Sequence, residues 1–366
     1  MYRHKTWHCL CISLFSLVGI LLVGCTQGTG VQDRWNASDS TQAVMKSVAQ
    51  YQLAHLDSDD GSPRGWQQCT FFTGMMAAYE ATNAPAYLQA VLRWGSSNRW
   101  NLGPRKRHAD DQCVGQVYLD LYRRFGGKKF LQATRSTFDH VLANPRSGRE
   151  EWHWCDALFM APPALARLAA ATGRKHYWNF ISTYYWDANE YLYDEKWNLY
   201  YRDENFFDAQ SSNGKPVFWA RGNGWVLAGL ARVLQVLPRD HPTRGRFVKH
   251  FQELAASVVM YQGDDGLWRP NLLDPQAVPV PETSSTGLFC YALAWGVNAG
   301  YLEEDLYRAA ADKAWKGLVR SVNEKGRLGW VQPVGARPEP VSRADTGAYG
   351  AGAFLMAGSE IIALRR

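Results

Sequence analysis

The chain has 366 residues, 46% of them hydrophobic and 20% charged, with a formal net charge of +6. That balance supports a large buried core and excludes wholesale disorder, and a mild positive excess with no basic tail speaks against nucleic-acid binding. Sixteen Trp, 18 Tyr and 15 Phe supply aromatic surface suited to a large core or to stacking on sugar rings.

The first predicted element is an export segment. Arg3 and Lys5, with no acid nearby, precede an apolar run at residues 9–23, and Leu22-Val23-Gly24-Cys25 follows. This order matches the charged and apolar regions of a signal peptide, ending in a sequence that resembles a bacterial lipobox. The expected organisation is a signal over 1–24, a lipidated Cys25, a polar linker over 25–38 and a single domain over 39–366. An ordinary cleaved signal or an uncleaved anchor is the alternative. The lipobox would place the protein in a bacterial cell envelope, on the periplasmic side or the outer surface, touching membrane only through its lipid. Beyond Cys25 stand Cys69, Cys113, Cys155 and Cys290. None has CxxC spacing, so no zinc site is indicated, and no other metal or cofactor is expected. Three disulfide pairings remain open beside four buried thiols.

From Ser40 onward the pattern is helical. Val114, Val117, Tyr118, Leu121, Tyr122 and Phe125 recur at three- and four-residue steps. Leu165, Leu168 and Ala169 do so next, then Leu227, Leu230, Val233 and Leu234. The runs end at Gly126-Gly127, Gly173 and Pro238, and aromatic-led helices begin at Tyr87, Phe130, Tyr177 and Leu306-Tyr307. Starts mostly about 45–70 residues apart imply about six helical hairpins. The predicted fold is all-α, an (α/α)6 barrel. The closing helix, residues 347–363, is apolar and Gly-rich, which suits burial in a closed ring rather than the polar cap of an open solenoid. Short strands are expected at 197–202 and 329–333.

Four groups of segments carry candidate chemistry. His108-Ala109-Asp110-Asp111-Gln112 places two acids before an apolar helix, where either serves as a cap or as a functional carboxylate. Trp152-His153-Trp154-Cys155-Asp156 surrounds an acid with indoles; such company raises a carboxyl pKa, as a proton donor needs, although Asp156 also stands where a cap would. Trp219-Ala220-Arg221-Gly222-Asn223-Gly224-Trp225 offers a guanidinium for a carboxylate, indoles for a sugar face, and glycines that let backbone approach a ligand. Trp268-Arg269-Pro270-Asn271, Glu282-Thr283-Ser284-Ser285 and Ala344–Gly350 read as rim loops, with Glu282 either a second carboxylate or a cap.

Together, His108–Gln112, Trp154–Met160, Trp219–Trp225 and Glu282–Gly287 resemble glycoside hydrolase family 105, with family 88 as its nearest relative. The likeness runs from about residue 40 to the end. It implies a six-hairpin barrel and an unusual reaction on an oligosaccharide whose non-reducing end is a 4,5-unsaturated uronic acid. It makes Asp156 the catalytic acid and base, and Asp110 or Asp111 the second carboxylate. His108, Trp154, Trp219, Arg221, Trp225 and Trp268 become substrate-binding candidates, with Arg221 on the uronate carboxylate. No cofactor is implied. The competing readings are another ring-fold glycanase or epimerase, and a glycan-binding lipoprotein without activity.

Overall fold

A computed structural model describes residues 40–56 and 61–366; the signal, the lipidated Cys25 and the linker lie outside the described residues. The chain is built from helices α1 (Thr41–Ala54), α2 (Trp66–Thr82), α3 (Pro85–Ser97), α4 (Ala109–Gln112), α5 (Gly115–Phe125), α6 (Gln132–Ala143), α7 (Gly148–Glu151), α8 (Ala157–Met160), α9 (Pro162–Thr172), α10 (Lys175–Leu192), α11 (Ala220–Leu234), α12 (Arg244–Val259), α13 (Thr283–Asn298), α14 (Glu304–Arg320) and α15 (Ala348–Leu364).

Six of these form an inner ring in which neighbours touch in the order α2, α5, α9, α11, α13, α15 and back to α2. The outer helices pack behind it: α3 on α2, α6 and α10 on α9, α12 on α11, α14 on α13, and α1 on α15. That last contact closes the outer layer, as the predicted ring requires.

The two layers are written differently in the sequence. Every residue of α11 is buried, and α15 is buried along nearly its whole length, because an inner helix meets neighbours on all sides. Outer α14 buries one stripe, including Tyr307, Ala311, Ala314 and Leu318, and leaves its other face to water. Glycine permits the closest inner contact. A Cβ on Gly352 of α15 would lie 2.3 Å from the Thr70 carbonyl oxygen of α2, so these two helices meet backbone to backbone. Helix α9 shows the termination chemistry plainly: Pro162 opens it, where no N–H partner is needed, and left-handed Gly173 closes it.

Strand is scarce. β1 (Tyr193–Asp194) and β2 (Leu199–Tyr200) pair antiparallel, Tyr193 opposite Tyr200; β2 lies within the first predicted strand region and β1 precedes it. The second expected strand, 329–333, does not form a ladder. Its backbone is used singly instead: the Trp330 carbonyl accepts from Thr283 N–H at 2.8 Å, and Val331 N–H donates to Asp345 at 3.2 Å. This stretch ties the start of α13 to the loop before α15.

Candidate active site

The candidate segments gather at the end of the ring where inner helices begin. Contacts among their first residues show this directly. Trp66 opens α2 and packs on Trp225 of α11 and Tyr349 of α15, at 6.0 and 4.9 Å between ring centres. Trp219 bridges Asn271, and Trp268 bridges Glu282. Each loop entering an inner helix therefore contributes to one mouth.

Asp110 and Asp111 are adjacent in sequence but opposite in environment. Asp111 is 6% exposed and ion-paired with Arg105. Its carboxylate accepts from Arg105 backbone N–H at 2.7 Å, Nε at 3.1 Å and Nη2 at 2.8 Å. Those bonds fix the loop before α4 and satisfy the carboxylate. Asp110, 20% exposed, stands 3.7 Å from His108 Nδ1, too far for a hydrogen bond. Burial pushes its pKa up to about 7, the negative charge of Asp156 adds to the rise, and Arg105 opposes it. The two acids left open by the sequence thus differ in partnering: Arg105 engages Asp111, while Asp110 stays within electrostatic reach of Asp156.

Asp156 precedes α8 but does not cap it with its side chain. It is 13% exposed; Arg202 Nε stands 3.6 Å away, and the Cys155 thiol donates weakly at 3.6 Å. Burial raises its pKa, and the cations Arg202 and Arg221 only partly offset that rise. Two underpartnered carboxyl groups, each with its pKa raised by burial, therefore share one mouth. The His108 ring packs against Trp154, 5.2 Å between centres, and burial lowers its pKa, favouring neutral imidazole. Trp154 also meets the exposed His153 ring at 4.5 Å.

Other candidates have different work. Glu282 is fully buried and caps α13, accepting from Ser284 N–H at 3.0 Å and Ser285 N–H at 2.7 Å, and from Gln332 N–H at 3.0 Å. With its oxygens filled it is not a second catalytic carboxylate. Arg221 is buried, its Nη1 donating to the Gln332 carbonyl at 2.5 Å and its Nη2 to the Pro333 carbonyl at 2.8 Å. It lies over the Trp219 ring at 4.4 Å, and Trp219 Nε1 bonds Gln332 Oε1 at 3.0 Å. The expected carboxylate clamp is corrected: both ends of the guanidinium fork hold the 332–333 backbone. Trp225 and Trp268 are buried with no face open to a sugar, and Trp268 Nε1 bonds the Val258 carbonyl at 2.7 Å. Both are core. Gly222, expected to admit a ligand, admits Cys155 instead; a Cβ there would sit 2.8 Å from its sulfur. That close approach seats Asp156 against α11.

The sequence reading missed Arg202. It follows the β1–β2 hairpin, its carbonyl accepts from Cys155 N–H at 2.8 Å, it pairs with Asp203, and it is 26% exposed. Its only sequence signal was its place at the end of a predicted strand. Among the described residues, no group of three or more His, Cys, Asp or Glu is placed to hold a metal.

The Glycosyl Hydrolase Family 88 model matches residues 36–365. The chain belongs to glycosyl hydrolase family 88. It is accordingly a glycoside hydrolase, and its fold is the (α/α)6 barrel. An unsaturated 3S-rhamnoglycuronyl hydrolase of Formosa agariphila is 38% identical over 322 residues, 83% of this chain and 85% of the relative. One from an Alteromonas species is 33% identical over 354 residues, 88% and 86%. A solved family 88 glycosyl hydrolase from Bacteroides vulgatus superposes with a TM-score of 0.82 at 29% identity, covering 89% of this chain and all of the other. A solved chain titled a polysaccharide lyase gives the same TM-score at 34% identity, covering 88% and 96%. The family matched is thus 88, where the motifs had suggested 105 first.

Proposed function

We propose that this hydrolase removes a 4,5-unsaturated uronic acid from the non-reducing end of lyase-generated oligosaccharides, in the manner of the family 105 branch, with a rhamnose-type sugar next in the chain. The observation that carries the reading is the Asp110–Asp156 pair. An ordinary glycosidase sets two carboxyl groups about the anomeric carbon and ionises one of them. Here burial raises the pKa of both carboxyl groups at the same mouth, which suits an acid that protonates a carbon–carbon double bond. Asp156 donates its proton to C4 of the enol ether. The cation that develops at C5 is taken by water, whose proton passes to the Asp156 carboxylate. The hemiketal so formed opens and expels the neighbouring sugar, with no attack at C1. Asp110 holds the substrate and the water in line. Trp154 and His108 pack against the unsaturated ring. Arg202, whose Nε lacks a hydrogen-bond partner, is the guanidinium open to the uronate carboxylate. The names of the 33–38% identical relatives support the rhamnose-type neighbour. Export on a lipid-modified Cys25 is part of the same proposal, and loss of fatty-acid labelling in Cys25→Ala tests it.

The ultraviolet absorbance of the conjugated C4=C5 uronate tests the reaction. Wild type is expected to remove it from lyase-treated rhamnose-containing uronic polysaccharides, and Asp156→Asn is not. A rise of that absorbance on intact polysaccharide would mean eliminative cleavage instead. A flat trace on every unsaturated substrate would overturn the hydration mechanism.

A further inference from the structure

Two of the four cysteines meet inside the ring, far apart in sequence. Cys69 lies in the first turn of α2, and Cys113 directly follows α4, two residues before α5 begins at Gly115. Their sulfurs are 2.7 Å apart, across 44 residues of chain. Both side chains are wholly buried. The distance is inside the contact of two unbonded sulfur atoms, and a disulfide closes at about 2.0 Å. Cys155 and Cys290 have other neighbours: the Cys155 sulfur faces Asp156, and that of Cys290 faces the Ala311 carbonyl. Of the three pairings open to four cysteines, the geometry favours one pair and leaves two single thiols.

We propose that Cys69 and Cys113 form a structural disulfide during folding that clasps α2 to the Asp110-bearing turn. Cys113 N–H bonds the Ala109 carbonyl at 3.0 Å, so the clasp anchors the same short helix that carries Asp110. Gln116 Nε2 approaches the Cys113 sulfur at 3.6 Å and the Phe159 carbonyl at 2.8 Å, which ties this corner to α8 as well. Because the pair is sealed from solvent in the folded chain, it forms during folding. A disulfide of glutathione class supplies the oxidation. One cysteine thiolate attacks a sulfur of oxidised glutathione and expels a glutathione thiolate. The second cysteine thiolate then attacks the mixed disulfide and expels the other. Two S–H bonds are lost, one S–S bond is gained, and glutathione takes the two electrons and two protons.

The test needs no variant. Full-length protein, unfolded and reduced, is refolded in a mixture of reduced and oxidised glutathione, then alkylated under denaturing conditions and digested without reductant. Expected are peptides joined through Cys69 and Cys113, with Cys155 and Cys290 alkylated. The melting midpoint should exceed that of the reduced refolded sample by on the order of 5–10 °C, from the loop of about 45 residues closed. Reductant applied during refolding should remove both the linked peptide and the shift. Full alkylation of Cys69 and Cys113 after oxidative refolding would overturn the proposal, as would a bridge to Cys155 or Cys290. So would failure of the oxidised sample to refold where the reduced one succeeds, because the bond would then oppose the fold.

Discussion

The two ends of the barrel bury carboxylates to opposite purpose. At the mouth, Asp110 and Asp156 lie in places poor in partners, and their pKa values rise. Deeper along the ring, Asp120 of α5 is just as buried but fully engaged. It accepts from Arg167 Nε at 2.7 Å and from Arg232 Nη2 at 3.0 Å. Burial pushes its pKa up, yet Arg167, Arg232 and Arg123 together hold it below the usual carboxylate range. Arg232 is further bonded to Gln116 Oε1 at 2.6 Å, and Arg167 to Gln235 Oε1 at 3.0 Å. Burial alone therefore does not make an acid reactive. The partners decide: they are supplied to Asp120 and withheld from Asp110 and Asp156.

The largest expected effect comes from removing the proton donor at the mouth. Asp156→Asn keeps the shape of the side chain and removes its acid and base function. Its kcat should fall at least about 10²–10⁴-fold, with the melting midpoint close to wild type. Asp110→Asn should fall comparably, and Asp111→Asn should instead lose stability through the Arg105 loop. If Asp111→Asn lost activity at unchanged stability while Asp110→Asn did not, the assignment of the two acids would be reversed.

The converse holds at the deep end. Arg232→Met leaves Asp120 with one of its two close cations and a lost bond to Gln116. Breaking such a buried pair costs about 3–5 kcal/mol, read by urea unfolding, while kcat per folded molecule stays within a few-fold. Asp120 also sets the acid limit. Its folded pKa lies below its unfolded value, so its contribution is present above the ordinary carboxylate range and is lost as pH falls through it.

These two ends were not equally legible in the sequence. Composition and apolar spacing were enough for the ring, because an inner helix must be apolar all round and an outer one on a stripe. The four motifs were enough to find the mouth, because Gly and aromatic residues cluster where helices start. Partnering was not readable. Asp110 and Asp111 are identical letters, and only Arg105 folding back over one of them separates their roles. Arg221 between two indoles suggested a ligand clamp, but the 332–333 backbone, more than a hundred residues later, fills its fork. Trp268 looked like a sugar wall because one-dimensional spacing cannot tell a rim indole from one pressed under the rim. Arg202 reaches Asp156 only because the β1–β2 hairpin returns it there.

The pH dependence of stability sharpens the comparison further. The folded pKa of Asp110, about 7, lies above its ordinary value of 3.8. Between those values the folded chain holds a proton that the unfolded chain has released. Stability therefore falls as pH rises through this window, the reverse of the Asp120 case. Asp110→Asn removes that penalty. At pH 8 it should be more stable than wild type by on the order of 2–4 kcal/mol, and near pH 4 the difference should vanish. Unfolding curves of the two proteins at pH 4, 6 and 8 decide this, and parallel curves would place Asp110 in an unperturbed environment.

The smallest effect is expected at Arg202. Its Nη1 pairs with Asp203 and its Nε stands near Asp156, so substitution can separate its two proposed functions. Arg202→Lys keeps the positive charge and loses the planar fork. If Arg202 binds the uronate carboxylate, KM should rise about tenfold with kcat nearly unchanged, the signature of binding lost equally from ground and transition states. Arg202→Gln also removes the cation that opposes the rise in the Asp156 pKa. The alkaline limb of its kcat profile should then move to higher pH, because Asp156 keeps its proton longer. A KM rise in both variants with a profile shift only in the second would assign both functions to one side chain. An unmoved profile in Arg202→Gln would leave the protonation of Asp156 to burial and its remaining partners, Arg221 among them.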